Sequence, residues 1–268
     1  MPFVNFHLHS NFSDGEQTPE AIAASLAAAG VRCAALTDHD TIESWPRFAE
    51  AMKKRSLACL PGLELTTYLD ERELHLLAYG FDPQHPVLQA TLLSLRQARD
   101  LEVHSIAGSL RKMGANHPNG DEDGPPVSAA PGGRIDTLAA IELLHRAGGK
   151  VFWAHPLHFE PDLQKLESLV VRLKDLGLDG LEAHYLPFSV EQRASLVELA
   201  HRHGLLASAG TDHHTAGGPI GMETPPDDWS PFREALFASP AFQDALSGGG
   251  KTIPGGQPPR PPAGKSHH

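Results

Sequence analysis

Short apolar segments alternate with helical segments along this chain, and a histidine or an acidic residue follows most of the apolar segments. The predicted strands cover residues 2–8, 31–36, 57–65, 73–81, 150–154, 179–183 and 205–209. The predicted helices cover residues 18–29, 41–55, 136–147, 161–175 and 189–203. This alternation predicts a parallel sheet or an α/β barrel. Because active sites of α/β barrels assemble at the carboxyl ends of the strands, the polar residues there form the candidate site.

Histidine is frequent, with 17 copies in 268 residues. In a strand, His7 and His9 project to the same side, so both rings can bind one ion. Glu64 ends the third predicted strand, where a buried carboxylate costs several kcal/mol unless it is paired or bound to a metal. His75 lies within an apolar segment, and taken alone its position favours a hydrogen-bonded core histidine over a metal ligand.

The segment Gly210-Thr211-Asp212-His213-His214 follows the last predicted strand. If Asp212 points into the site, His214 does so too in extended backbone, and His213 faces away. The alternative is that His213 points inward. Asp14, in Ser13-Asp14-Gly15, is also typical of an ordinary turn residue.

Histidines and acidic residues recur at the ends of separate predicted strands. Together they form one set of candidate ligands: His7, His9, Asp14, His39, Glu64, His75, His155, Asp212 and His214. At about four to six ligands per ion, such a set suits two or three divalent ions. Nitrogen and oxygen ligands without thiolate fit Mn²⁺, Zn²⁺ or Fe²⁺, and the sequence does not choose among them.

The charge balance limits the partners of the protein. Asp and Glu number 33 against 22 Lys and Arg, for a formal charge of −11. This excludes a broad groove for long nucleic acid, but one nucleotide or a strand end can still be held by bound cations. With two cysteines, no long apolar run and no signal-peptide features at the first residues, we expect a cytoplasmic protein without membrane contact.

The ordered motifs resemble those of the polymerase and histidinol phosphatase (PHP) superfamily. Within it, the chain is similar to the stand-alone bacterial branch, which includes nucleoside 3′,5′-bisphosphate phosphatases and a 5′→3′ exoribonuclease. The resemblance rests on Phe6-His7-Leu8-His9-Ser10, Ser13-Asp14-Gly15, Leu36-Thr37-Asp38-His39-Asp40-Thr41, Gly62-Leu63-Glu64, Ala154-His155-Pro156 and Gly210-Thr211-Asp212-His213-His214.

The resemblance implies a distorted (β/α)7 TIM-like barrel, the PHP fold, with up to three metal ions. We expect the barrel over residues 1–81 and 136–246, and a short helical insertion with a mobile loop, a reduced lid, over 82–135. Within the insertion, 84–113 is predicted helical and 114–133 a loop. The Gly- and Pro-rich tail 247–268 is expected to be disordered.

The resemblance also implies how the ligands divide. One ion would be held by His7, His9, Glu64 and Asp212. A second would be held by Glu64, His75 and His155, with Glu64 bridging, and a third by Asp14, His39 and His214. Asp38 and Asp40 would either orient ligand imidazoles or cap the helix that starts at Thr41.

Two residues are proposed as substrate contacts, and Arg134 belongs to the segment Gly132-Gly133-Arg134-Ile135-Asp136, which resembles part of the relatives' insertion. Arg134 could hold a phosphate through two hydrogen bonds, and a solvated loop arginine is the equal alternative. His184 ends the sixth predicted strand and is the second candidate contact. The relatives' longer insertion, which covers their substrate, is shortened here.

The expected function is a metal-dependent phosphoesterase acting on a small phosphorylated metabolite, with a 3′,5′-bisphosphonucleotide favoured and metal-activated hydroxide as nucleophile. The chain shows no Gly-x-Ser-x-Gly elbow and no Ser-His-Asp order. Alternatives are a histidinol-phosphate phosphatase, a 5′→3′ exonuclease on short RNA and a non-catalytic metal-binding domain. An amide or lactone hydrolase is disfavoured, because such enzymes often carry a carboxylated lysine and Lys150 begins its strand.

Overall fold

The computed structural model describes residues 3–98 and 134–237. The strands are β1 (Phe3–Asn5), β2 (Cys33–Leu36), β3 (Ala58–Leu69), β4 (Arg72–Tyr79), β5 (Lys150–Trp153), β6 (Gly180–Tyr185), β7 (Leu206–Gly210) and β8 (Met222–Glu223). The helices are α1 (Pro19–Ala29), α2 (Trp45–Lys54), α3 (86–98), α4 (Thr137–Arg146), α5 (Pro156–Phe159), α6 (Leu163–Asp175), α7 (Val190–Arg202) and α8 (Pro226–Phe237).

The strands form one sheet that curls into a nearly closed barrel. Their order is β7-β6-β5-β4-β3-β2-β1-β8. Just beyond β1, the N–H of Phe6 donates to the carbonyl of Ala209 in β7 at 2.9 Å, which brings the two ends of the seven-stranded sheet together. The two-residue β8 pairs antiparallel with β1 outside this ring. The predicted barrel class is therefore confirmed.

One strand departs from the parallel arrangement that alternating strands and helices favour: β4 runs antiparallel to both β3 and β5. Only Asp70 and Glu71 separate β3 from β4, and both have positive φ, 50° and 64°. A two-residue loop with left-handed backbone makes a hairpin, whereas a parallel connection needs a crossover of a dozen residues or more. His75 consequently enters the site from within a strand, opposite Thr66.

Helix boundaries follow the capping residues of the sequence. Thr18 accepts a hydrogen bond from the N–H of Ala21, and Gly30 ends α1 in left-handed backbone. Ser189 and Gln192 form a capping box at the start of α7. The short α5, which begins at Pro156 directly after His155, was not predicted from the sequence. These caps fix where each following strand begins.

An aromatic cluster fills part of the barrel interior next to the first strand. Phe6 contacts Tyr79 and Phe232 at ring-centroid distances of 5.9 and 4.6 Å, and Phe152 contacts the same two rings. The Tyr79 hydroxyl donates to the carbonyl of Phe6 at 2.9 Å. This packed core adjoins His7, so the first strand can present that histidine from a rigid base.

Several expectations fall on other parts of the chain. Residues 86–98 are helical, as predicted for the first part of 84–113, while 99–113, the loop 114–133 and the tail 247–268 lie outside the described residues. Among the helices of the described residues, none is both long and apolar enough to cross a bilayer.

Candidate metal centre

The carboxylate of Glu64 lies at the centre of the site, and only 1% of the residue is exposed. Five imidazoles surround it. Its Oε2 lies 2.9 Å from His7 Nε2, 3.1 Å from His9 Nε2 and 3.5 Å from His39 Nδ1. Its Oε1 lies 3.0 Å from both His75 Nδ1 and His155 Nε2. Each oxygen thus faces its own group of histidines, which is the arrangement that a bridging carboxylate requires.

Asp212 supplies the second carboxylate. Its Oδ1 lies 3.3 Å from His7 Nε2 and 3.1 Å from His9 Nε2. Its Oδ2 accepts a hydrogen bond of 2.8 Å from the hydroxyl of Tyr185. Asp212 has a φ of 53°, a left-handed conformation that non-glycine residues adopt at some cost and that is typical of functional sites.

Asp14 forms a third, more open part of the site. Its Oδ2 lies 3.2 Å from His214 Nε2 and 3.7 Å from His39 Nε2, and its Oδ1 lies 3.5 Å from His9 Nδ1. The side chains of Asp14, His39 and His214 are 41%, 23% and 31% exposed, whereas His7 and His9 are fully buried. Solvent and a ligand can reach the centre from this side.

All nine predicted ligands therefore lie together. Donor atoms within 4.8 Å of one another form three groups: His7, His9, Glu64 and Asp212; His9, Asp14, His39 and His214; and His39, Glu64 and His75. Two details differ from the division that the resemblance implies. His9 joins the group of Asp14, and His39 accompanies Glu64 and His75 where His155 was expected.

The donor set fits divalent metal ions. Both ring nitrogens of His9 are buried without a properly oriented hydrogen-bond partner among the described residues. A buried polar atom without a partner costs about 1–3 kcal/mol, and a cation among these nitrogens and carboxylate oxygens removes that cost. The thiols of Cys33 and Cys59 are absent from the three groups of donor atoms. Mn²⁺, Zn²⁺ and Fe²⁺ all suit such nitrogen and oxygen donors.

Without a cation, the clustered carboxylates alter the pKa values of the histidines. Burial by itself would lower the pKa of His9, but Asp212 and Glu64 outweigh it and raise that pKa to about 9. Glu64 and Glu73 likewise overcome burial and raise the pKa of His75 to about 10. Burial dominates at His39, whose pKa is lowered. Metal ions would have to displace protons from His9 and His75, because only the neutral ring is a ligand.

Sequence reasoning missed the role of Glu182 and the contact of Tyr185 with Asp212. Glu182 is fully buried in β6, with oxygens 2.8 Å from His7 Nδ1 and 2.8 Å from the backbone N of His155. The signal was available, since Glu182 interrupts an apolar strand just as Glu64 does. For Tyr185 the signal was hidden, because a bulge between Leu181 and His184 shifts the alternation of side chains.

The two predicted substrate contacts, Arg134 and His184, both contact residues outside the ligand set. Arg134 sits over the ring of Tyr68, 4.4 Å from its centroid, and its guanidinium lies 3.2 Å from a Glu71 oxygen. His184 Nε2 lies 2.8 Å from Asp228, which is not one of the nine ligands. Neither placement supports the predicted contact with a substrate.

The neighbouring polar residues also have other partners than expected. His213 faces away from the ligands, as predicted, and contacts Gln17 and the carbonyl of Pro219 at 2.8 and 3.0 Å. Asp38 accepts hydrogen bonds from the hydroxyls of Ser10 and Ser44 and from the Ser10 N–H. These serine partners of Asp38 correct the expectation that it orients an imidazole or caps a helix.

Asp40 holds a strand in the same way. Its two oxygens accept from the N–H and the hydroxyl of Thr66 at 2.8 and 2.9 Å. These bonds hold β3 two residues beyond Glu64. This contact with β3 is one that neither predicted alternative for Asp40, an imidazole partner or a helix cap, included.

Comparison with known proteins agrees with the resemblance that the motifs carry. A family model for the PHP domain matches residues 5–103. The chain is 28% identical over 250 residues to the 5′-3′ exoribonuclease Rnm of Salmonella typhimurium, covering 78% of this chain and 84% of the relative. It is also 28% identical over 253 residues to the 3′,5′-nucleoside bisphosphate phosphatase of Chromobacterium violaceum, covering 81% of this chain and 89% of the relative.

Solved structures share the fold of this chain. A structure described as a metal-dependent phosphoesterase, from Bifidobacterium adolescentis, has a TM-score of 0.65 at 26% identity, over 87% of this chain and 96% of that one. A protein from Chromobacterium violaceum described as an amidohydrolase, solved with bound sulfate and no metal, has a TM-score of 0.73 at 24% identity over the same shares. The overall fold therefore recurs in these two proteins.

Proposed function

We propose that this protein is a metal-dependent phosphoesterase of the PHP type that hydrolyses a small phosphorylated nucleotide of the 3′,5′-bisphosphate type. The observation that carries the proposal is the convergence of five imidazoles on Glu64 within 3.5 Å. Among them is the fully buried His9, whose ring nitrogens have no properly oriented hydrogen-bond partner in the described part of the chain. The named activities of two relatives, on RNA and on nucleoside bisphosphates, support a nucleotide substrate.

The proposed ligands are the nine residues named above, for two or three divalent ions. When bound, such ions lower the pKa of a water molecule and neutralise charge on the phosphate oxygens. Glu64 would contact two ion positions through its separate oxygens. Asp212 would present Oδ1, because Tyr185 occupies Oδ2. His155 would be a ligand of the same ion as His75 and Oε1 of Glu64.

The chain's own residues define where a substrate enters. Asp14, His39 and His214 are partly exposed, so the phosphate would approach from their side, while the buried His7 and His9 exclude water behind it. Burial raises the pKa of Cys59 to about 12 and that of Cys33 further, so neither thiol is a nucleophile at neutral pH. The acidic chain, with a net charge of −11, favours a small anion held by cations over long nucleic acid.

A hydrolysis assay tests the proposal. Purified protein with Mn²⁺ is presented with a 3′,5′-bisphosphonucleotide, histidinol phosphate and 5′-phosphorylated short RNA, and phosphate release is measured. His9→Ala should lower the rate at least about 100-fold, since even residues that only support a metal ligand are worth about 10–100-fold. His201→Ala, half-exposed and outside the site, is the matched control.

The outcomes separate the candidates. Fastest turnover of the bisphosphonucleotide supports the proposal, and fastest turnover of the RNA or of histidinol phosphate replaces the substrate. Equal rates for the wild type and His9→Ala contradict a metal-centred reaction. Tight Mn²⁺ binding without hydrolysis of any of the three esters favours the non-catalytic metal-binding domain.

A further inference from the structure

Glu182 contacts two of the proposed metal ligands that come from different parts of the barrel. Its side chain is fully buried in β6. One oxygen, Oε1, lies 2.8 Å from Nδ1 of His7, and the other, Oε2, accepts a 2.8 Å hydrogen bond from the backbone N–H of His155. One carboxylate therefore joins the strand that presents His7 to the turn that presents His155.

The fold keeps space for this carboxylate. A Cβ added to Gly210 would lie 2.6 Å from Glu182 Oε1 and 2.3 Å from the Cβ of His7, so only glycine fits there. Oε2 of Glu182 also accepts its hydrogen bond from a residue in strained backbone, because His155 has a φ of 31° directly before α5. Such a conformation costs about 1–3 kcal/mol and persists only where surrounding contacts impose it.

The contact with Glu182 favours one tautomer of His7 once an ion is bound. A metal ligand must offer a lone pair, so Nε2, which lies 2.9 Å from Glu64 and 3.3 Å from Asp212 within the first group of ligands, would give up its hydrogen. The single ring hydrogen would then lie on Nδ1, where the Glu182 carboxylate accepts it. The backbone N–H of His155 is always a donor, so Glu182 must accept at both of its oxygens.

We propose that Glu182 is a positioning residue that fixes the tautomer of His7 and the backbone of His155, and thereby sets two metal positions at once. The proposal rests on the metal-binding part of the proposed function. It concerns how tightly the site binds its ions and not which ester is cleaved.

Glu182→Gln tests this role with almost no change in shape. An amide offers one acceptor and one donor, so it cannot accept at both positions. If its oxygen faces the N–H of His155, its NH₂ faces Nδ1 of His7 and forces the ring hydrogen onto Nε2, which removes that ligand. If its oxygen faces His7, the NH₂ opposes the N–H of His155 and disturbs the second ligand.

The expected result is a loss of about 10–100-fold in Mn²⁺ affinity, measured by titration calorimetry on the full chain. Asp228→Asn is the matched control. Asp228 is also buried and also lies between two imidazoles, 2.8 Å from His184 Nε2 and 2.7 Å from His201 Nε2, but it touches none of the nine ligands. This control should bind Mn²⁺ as the wild type does.

Further measurements distinguish positioning from a merely structural role. Melting temperatures in the presence of a chelator report folding alone, and a structural role predicts a lower value for Glu182→Gln with unchanged Mn²⁺ affinity, which would overturn the proposal. ¹⁵N NMR of the histidine rings in the Zn²⁺-loaded wild type should show hydrogen on Nδ1 of His7. Hydrogen on Nε2 would also overturn it, even if the variant fails to fold.

These results are independent of the hydrolysis assay. If the wild type binds Mn²⁺ and Glu182→Gln binds it more weakly, the positioning role stands even when no phosphate ester is cleaved. If hydrolysis is found but both proteins bind Mn²⁺ equally, the role of Glu182 is refuted and the proposed function survives.

Discussion

Tyr185 shows how a single hydroxyl can tune the site. It donates to Oδ2 of Asp212 at 2.8 Å, which leaves Oδ1 facing His7 and His9. Tyr185→Phe removes this donor, and we expect Mn²⁺ affinity to fall about 10-fold, as for other partners of metal ligands. Titration calorimetry measures the effect.

Tyr79→Phe is the control for that change. Tyr79 is also a buried tyrosine, but its hydroxyl donates to the carbonyl of Phe6, at 2.9 Å. It should lower the melting temperature and leave Mn²⁺ affinity intact. Equal Mn²⁺ affinity in Tyr185→Phe and the wild type would contradict the role of Tyr185.

Gly210 allows a sharper test of crowding around the site. The added Cβ of Gly210→Ala would meet His7 and Glu182 well inside contact distance. We therefore expect a loss of Mn²⁺ binding together with a fall in stability of at least about 2 kcal/mol. Calorimetric titration and urea unfolding give the two values.

Gly204→Ala separates this crowding from a backbone effect. Gly204 has a φ of 64°, but a Cβ there meets nothing within 4 Å. It should cost about 1 kcal/mol through strain and leave metal binding unchanged. Intact Mn²⁺ binding in Gly210→Ala would show that the close approach of Gly210 to His7 and Glu182 is not needed for metal binding.

The nine ligands could be predicted because nearly all follow or interrupt an apolar strand, where packing gives no reason for an imidazole or a carboxylate. Glu182 followed the same rule and was overlooked beside the more obvious motifs. Tyr185 could not be predicted, since it points inward only because β6 has a bulge. The orientation of a side chain after a bulge depends on pairing with neighbouring strands, which the local sequence does not contain.

At the scale of elements, Asp179 joins α4, β5 and β6. Its carboxylate lies 2.8 Å from His145 Nε2 and 2.7 Å from Lys150 Nζ, and it accepts a 2.9 Å hydrogen bond from the N–H of Val151. Burial opposes ionisation, but His145 and Lys150 outweigh it and hold the pKa of Asp179 below its usual value. The ionised form therefore stabilises the fold.

The sign of the pH dependence follows from that lowered pKa. The stabilisation is fully present above the unfolded-state pKa of about 3.9 and is lost as the pH falls through the lower folded-state value. Asp179→Asn should reduce the free energy of unfolding of the metal-free protein by about 2 kcal/mol at pH 7, and the difference from wild type should shrink below about pH 4.

Urea unfolding at pH 7 and pH 3 measures that difference. Glu50→Gln is the control, because Glu50 is exposed and pairs only with Lys54 at 3.4 Å within one helix. It should change stability little at either pH. A difference for Asp179→Asn that grows as the pH falls would contradict the assignment.

The elements themselves were predictable to the extent that their boundaries carry local signals. Thr18 and Gly30 bound α1, and the apolar segments gave seven strands of the barrel. The direction of β4 was not predicted, because a hairpin at Asp70-Glu71 lacks the Asn-Gly or Asp-Gly pair that normally marks one. Left-handed backbone at two charged residues is visible only once the strands are paired.

At the scale of the whole molecule, the site depends on distant segments of the chain. Glu64 in β3 meets His7 near β1 and His155 after β5, so sequence separations of 57 and 91 residues are spanned at one carboxylate. Without a metal ion, the site brings carboxylates close to one another, and these would repel each other unless cationic groups pair with them. Ion binding and folding should therefore be coupled.

Thermal unfolding measures that coupling. Mn²⁺ at about 100 times its dissociation constant should stabilise the fold by about 2.7 kcal/mol per site. At about 2–4 °C per kcal/mol for a chain of this size, the melting temperature should rise by at least about 5 °C over that in a chelator. His9→Ala should lose most of this rise, because His9 belongs to two of the three ligand groups. Ca²⁺, which prefers oxygen ligands, should raise the melting temperature less than Mn²⁺ at the same concentration. An equal rise with both cations, or an undiminished rise in His9→Ala, would indicate that the ions bind surface carboxylates instead of the histidine-rich centre.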